Sequence, residues 1–132
     1  MTEWLTAAAR GRGRAMTEFG YRPTANMQYW YADVAYLPHE DWARMRSDEY
    51  LVYAPPLIIE VLSPSNRPTK IRKQRLAAFA GGTREFWVMD HVKRTIEVSL
   101  PGKPSRIYAA DEPVPVSVLP GASLRFSEVL PD

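Results

Sequence analysis

A single mixed α/β (α+β) domain, one mixed β-sheet flanked by helices, is the fold this 132-residue sequence predicts, and three stretches carry the prediction. Leu57, Ile58, Ile59, Val61 and Leu62 form an apolar run bounded by Pro55, Pro56 and Pro64, the pattern of a strand buried on both faces. A basic segment follows to about Ala80, apolar on one side at helical spacing and stopped by Gly81 and Gly82. Glu85 to Asp90 and Thr95 to Leu100 then read as two strands joined into a hairpin by His91 to Arg94. Helix, strands, helix, strands in that order call for one sheet with helices packed on it. A chain of this length buries about two-thirds of its unfolded surface as one domain, residues 1–132.

The remaining elements follow in order. Thr2 is placed to cap a helix from Glu3 to Arg10, with Trp4, Leu5, Ala8 and Ala9 along one side and a stop at Gly11. Ala15 to Arg22 alternates as a strand, Thr17, Phe19 and Tyr21 on one face, Met16 and Glu18 on the other. Pro23 to Asn26 makes a loop. Gln28 to Leu37 is a second strand, with Trp30, Ala32, Val34 and Tyr36 opposite Tyr29, Tyr31, Asp33 and Ala35. Pro38 to Arg46 forms a short helix that packs Trp42 and Met45 inward, and Ser47 to Ala54 connects it onward. Base stacking is the other use for aromatic residues here, but Trp30 and Trp42 suit core anchoring.

Ser65 or Asn66 caps the basic helix, with Pro68 in its first turn. On a 100° wheel Ile71, Ala78 and Phe79 face the sheet, Gln74 and Arg75 fall on or beside that side, and Lys70 and Lys73 point away. Ser105 to Ala109 adds a strand, and the tail from Val116, turning at Pro120 and Gly121, closes the core.

Composition narrows the function. No apolar run approaches the ~20 residues of a membrane span, and the N-terminus lacks the basic head and apolar core of a signal peptide. The absence of cysteine excludes disulfides and thiolate metal sites and fits a reducing, cytoplasmic setting. His39 and His91 are too few for a histidine metal cage. The net charge is only +2, yet no acid falls between Glu60 and Glu85, where Arg67, Lys70, Arg72, Lys73, Arg75 and Arg84 all lie. Such a block either neutralises phosphates or forms a solvated helix face.

Glu60 sits in the middle of the buried run, and a carboxylate taken out of water must pair, neutralise or bind a cation. One outcome is an ion pair with an arginine; the other is a metal ligand or general base at a cleft. Asp33 is a second acid inside a strand, where Asp is depleted and needs compensation. Two acids on neighbouring strands beside a basic helix suit metal-assisted phosphodiester hydrolysis, since Mg²⁺ prefers hard oxygen ligands.

The segments ADVAYLP, PPLIIEVLSPSN, the basic helix, GGTREFWVMD with HVKRTIEV, and VLPG together resemble the Uma-two family of endonucleases, a branch of the PD-(D/E)XK superfamily with a restriction-endonuclease-like fold. The resemblance runs from about Gly13 to the end. It implies a nuclease cutting DNA with Mg²⁺ (or Mn²⁺), in which Asp33 and Glu60 bind the metal and the Val61 carbonyl adds a further contact. It makes Ser63 and Pro64 shaping residues and Glu85, Trp87 and Asp90 structural ones. Arg67, Lys70, Arg72 and Arg75 are then the DNA-contacting cations.

The sequence departs from the family pattern at three places. Ala32 replaces a proline before the first acid, and Leu62 replaces the superfamily lysine two residues after the second. A helix lysine substitutes for it in the family; here an ungapped count puts Gln74 at that position, with Lys73 and Arg75 beside it. Gln74, or Lys73 after a one-residue shift, would position the attacking water. The family's N-terminal stretch is also missing, which leaves apolar surface for a homodimer to cover. The alternatives are a nuclease-fold domain that binds nucleic acid or a protein without cutting, and a structural domain whose acids are clamped by arginines.

Overall fold

The structure, a computed structural model, describes residues 1–25, 28–46, 52–63 and 68–129. Among these a six-stranded mixed sheet runs in chain order, β1 (Gly13–Tyr21), β2 (Trp30–Pro38), β3 (Leu57–Val61), β4 (Glu85–Asp90), β5 (Thr95–Ser99) and β6 (Arg106–Ala109). Every pairing is antiparallel except β3 with β4. That one parallel pair requires a crossover, and α3 (Pro68–Ala80) supplies it. Helix α1 (Thr2–Ala9) precedes the sheet and α2 (His39–Arg46) follows β2; a two-stranded ribbon, β7 (Val114–Pro115) with β8 (Ser123–Leu124), and α4 (Phe126–Val129) complete the chain.

Two cores lie on the two faces of the sheet. One packs Leu5 and Ala9 of α1 and Val114, Leu119, Leu124 and Phe126 of the C-terminal segment against Val34, Leu57, Ile59 and Trp87. The other packs Ile71 and Ala78 of α3 against Ala35, Leu37, Ile58 and Phe86. Strand β3 feeds both, which is why it reads as an unbroken apolar run.

The first helix starts one residue earlier than expected: Met1 is its N-cap, with no side-chain cap bond, and Arg10 in the left-handed region ends it before Gly11. The larger departure is in β1. Glu18 adopts a φ of 49°, uncommon for a residue with a side chain, and the register skips it opposite Asp33. Strict alternation therefore breaks. Phe19 and Tyr21 join Met16 on the α3 side instead of facing Thr17's way, and Ala32 joins them. Trp30 and Trp42 do anchor this core, and Arg14 stacks on the Trp42 ring at 3.9 Å. The expected helix caps Ser65 and Asn66 lie outside the described residues, as do Pro64 and Arg67.

Glu85 is fully buried and ties the C-terminal segment to the sheet. Its carboxylate accepts the Trp87 indole N–H at 2.9 Å and the Ser117 and Val118 backbone N–H groups at 3.3 and 3.2 Å. Burial pushes its pKa up, against the pull of those donors. Glu85→Ala orphans all three, at roughly 1–3 kcal/mol for each buried group. We expect the midpoint of thermal unfolding, followed by circular dichroism, to fall by ~10 °C or more for Glu85→Ala, and by clearly less for Glu85→Gln, which keeps an acceptor.

Candidate active site

Asp33 and Glu60 meet where β2 and β3 part. The ladder between these strands runs Tyr36 with Leu57, Ala35 with Ile58 and Val34 with Ile59; one step further, Asp33 stands opposite Glu60. There the backbone ladder gives way to side chains. The Asp33 N–H donates to Glu60 Oε2 at 2.8 Å, and the Val61 N–H donates to Asp33 Oδ2 at 2.8 Å. Each carboxylate thus takes the N–H that the diverging partner strand no longer accepts. β2 continues with β1, and β3 continues with β4, so a fork opens with the two acids at its base.

Glu60 is only 6% exposed. Its pKa is pushed up from 4.5 to about 7, chiefly by burial and also by the neighbouring Asp33 charge; the Asp33 N–H, the Gln74 amide and the Lys70 ammonium pull the other way. Helix α3 presents Gln74, buried, to the same spot: its Nε2 donates to the Tyr21 hydroxyl at 3.1 Å and to the Tyr31 carbonyl at 3.2 Å. Tyr21 is itself buried, and its phenol is raised well above the ordinary range by that burial, with Glu60 adding to the effect. The site is therefore two carboxylates, an amide and a phenol.

The other expected residues fall around it. Lys70 is exposed on the first turn of α3, close enough to act on the Glu60 charge. Lys73 is exposed and stays out of the cluster. Arg72 is exposed as well, while Arg75 turns to β5, with 3.4 Å to Ser99 Oγ and 4.0 Å to Glu97 Oε1. Arg67 lies outside the described residues. Among those described, no guanidinium bonds Asp33 or Glu60, so the arginine-clamp alternative finds no support. Tyr21 is an addition to the expected set, because a regular strand would have aimed it elsewhere; the spacing of Met16, Phe19 and Tyr21, apolar at i, i+3 and i+5, is the available sign of the break.

The donor set fits a hard divalent cation. Two adjacent carboxylates, without a cationic hydrogen-bond partner among the described residues, offer oxygens only. Among the described residues no third acid or histidine joins them, which suits Mg²⁺ better than Zn²⁺, since Mg²⁺ binds through one or two carboxylates and keeps several waters.

Comparison with known proteins agrees with this architecture. The Uma2 family, described as "Putative restriction endonuclease", matches residues 1–127. Among solved structures, a "putative nuclease belonging to DUF820" from Anabaena variabilis superposes with a TM-score of 0.81 at 22% identity, covering 96% of this chain and 74% of that one. The restriction-endonuclease-like fold class expected from the sequence is thereby shown. No curated protein matches the chain.

Glu60 makes a prediction about the metal-free protein. Its carboxyl binds a proton more tightly folded than unfolded, so this group's stabilisation is complete below about pH 4.5 and is lost as pH rises to about 7. Denaturant unfolding in EDTA should show a decline on the order of 3 kcal/mol across that window, because each tenfold difference in proton affinity is worth about 1.36 kcal/mol. Glu60→Gln should remove this decline, and Mg²⁺ should reduce it for the unaltered chain only.

Proposed function

The chain belongs to the Uma2 family, and on that footing we propose that it is a Mg²⁺- or Mn²⁺-dependent endonuclease that hydrolyses DNA phosphodiester bonds at the fork between β2 and β3. The observation that carries the proposal is the carboxylate couple, Asp33 with Glu60, each held by the other strand's N–H and bonded by no guanidinium among the described residues. Asp33, Glu60 and the Val61 carbonyl would hold the ion. When bound, such an ion polarises the phosphate and lowers the pKa of an attacking water.

The chain's own groups do the rest. The two backbone N–H groups fix the carboxylates so that their remaining oxygens stay available. Gln74, buried and tethered to Tyr21 and Tyr31, orients the water; Lys73, in solvent, does not. Lys70, Arg72 and Arg75, together with Arg67 from the sequence, would supply the positive charge that DNA phosphates need. Among the described residues no helix is long and apolar enough to cross a membrane, and a cysteine-free chain suits a cytoplasmic enzyme. A homodimer belongs to the same proposal, covering exposed side chains such as Leu76 and Ile107; light scattering that returns the mass of one chain would remove that part.

One observation favours a second reading, a nuclease-fold domain that binds nucleic acid or a protein without cutting it. Gln74 brings no positive charge to the position where the resemblance places a lysine, and loss of one transition-state contact costs ~10² or more in rate.

Calorimetry separates the two. We expect MgCl₂ or MnCl₂ to bind the unaltered chain and not Glu60→Ala, and supercoiled plasmid to be nicked only by the former. Absence of both metal heat and nicking sinks the endonuclease. DNA binding that falls steeply with salt, without nicking, selects the second reading. Gln74→Lys should raise nicking by ~10-fold or more if the charge at this position limits the rate.

A further inference from the structure

A cleft of about 300 Å³ lies between α3 and strands β4 and β5. Leu62, Ile71 and Val88 line it on the apolar side, and Arg72, Arg75 and Glu97 on the polar side. The sheet register fixes its position: Glu60 pairs with Val88, and Val88 pairs with Glu97. All three belong to the α3 face, so the cleft begins one strand from Glu60 and ends two strands away, roughly 5 to 10 Å. It lies beside the fork on the same face of the sheet.

Its chemistry is divided. Leu62 and Val88 are only half-buried, which leaves aliphatic surface facing the opening. Arg72 and Arg75 are three residues apart on α3 and so share a face. The Arg75 guanidinium has long contacts only, 3.4 Å to Ser99 and 4.0 Å to Glu97, and its side chain keeps 25% of its exposure. It can therefore turn to a better anion at small cost, because contacts this long contribute little. Two guanidiniums make a bidentate phosphate clamp. Glu97 offers acceptors only, suited to an exocyclic amine and not to phosphate.

We propose that this cleft binds one unpaired nucleotide of the substrate, its base against Leu62, Ile71 and Val88 and its phosphate on Arg72 and Arg75. The proposal rests on the nuclease reading, which supplies a nucleic acid at the adjoining acid pair. Leu62 then has a positive role: where the superfamily pattern has a lysine, this chain puts part of the base-binding surface. A base stacked inside a duplex cannot enter, so the cleft selects single-stranded, flapped or frayed DNA.

The test is a titration of the full chain, without metal, with dAMP, deoxyadenosine and inorganic phosphate, followed by calorimetry and by backbone amide NMR shifts. dAMP should bind at least ~10-fold more tightly than either fragment, since it uses both halves of the cleft, with shifts centred on Leu62 and Val88. Arg72→Ala, at an exposed position that the fold does not need, should weaken dAMP by ~5-fold or more and leave deoxyadenosine unchanged. Arg75→Ala should act the same way. Equal affinity for dAMP and phosphate would reveal an anion patch only and overturn the proposal, as would indifference to both arginine substitutions. The readout needs neither metal nor cleavage: absence of both metal heat and nicking removes the nuclease reading, whereas nicking with no dAMP bound in the cleft removes this inference alone.

Discussion

Where two strands of a sheet separate, each loses hydrogen-bond partners that water cannot always replace. In this chain the loss falls at the boundary between β2 and β3, and carboxylates replace the missing carbonyls: Glu60 accepts from Asp33 and Asp33 accepts from Val61. An orphaned buried N–H costs on the order of 1–3 kcal/mol, so the exchange stabilises the fork. It also fixes two negative groups side by side in a place only 6% exposed for Glu60. The same two bonds satisfy the fold and create its electrostatic tension, and neither acid has one role only.

The tension spreads to α3 through Gln74. The helix is held to the sheet by Ile71 and Ala78, and the residue between them in space is a buried amide rather than an aliphatic side chain. Its partner Tyr21 reaches the site because Glu18 breaks the alternation of β1. A backbone irregularity opposite Asp33 thereby brings a phenol to the acid pair.

Much of this was legible in the residues. The run through Glu60 indicated a doubly covered strand because its apolar residues do not alternate with polar ones, and α3 packs on one side of it while α1 packs on the other. The wheel placed Gln74 inward and Lys73 outward because a 13-residue helix without interior glycine or proline keeps its period. Tyr21 was illegible because alternation assumes an unbroken strand, and only tertiary pairing decides whether a non-glycine residue takes a positive φ. The short β7 and β8 ribbon was illegible for another reason: its two-residue strands carry too little pattern, and it is Glu85, far upstream in the chain, that holds the Ser117 and Val118 amides in place. The contact of Arg75 with Glu97 was also illegible, since nothing in a helix wheel reports which acid a neighbouring strand will present.

The surroundings of Gln74 bear on whether a neutral side chain belongs there. Its Nε2 is met by the Tyr31 carbonyl and the Tyr21 hydroxyl, and the same amide pulls the Glu60 pKa down. All three offer acceptor oxygens. An amide NH₂ has two hydrogens to share among them, whereas an ammonium has three and brings the charge that Glu60 lacks. A lysine would find the same oxygens in this socket, while burial first and the Asp33 charge second keep the Glu60 pKa raised. On the endonuclease proposal the missing charge has to arrive with a cation and be shared with Lys70 at the helix start. On the non-catalytic proposal it does not arrive at all, and Glu60 remains close to half-protonated at neutral pH.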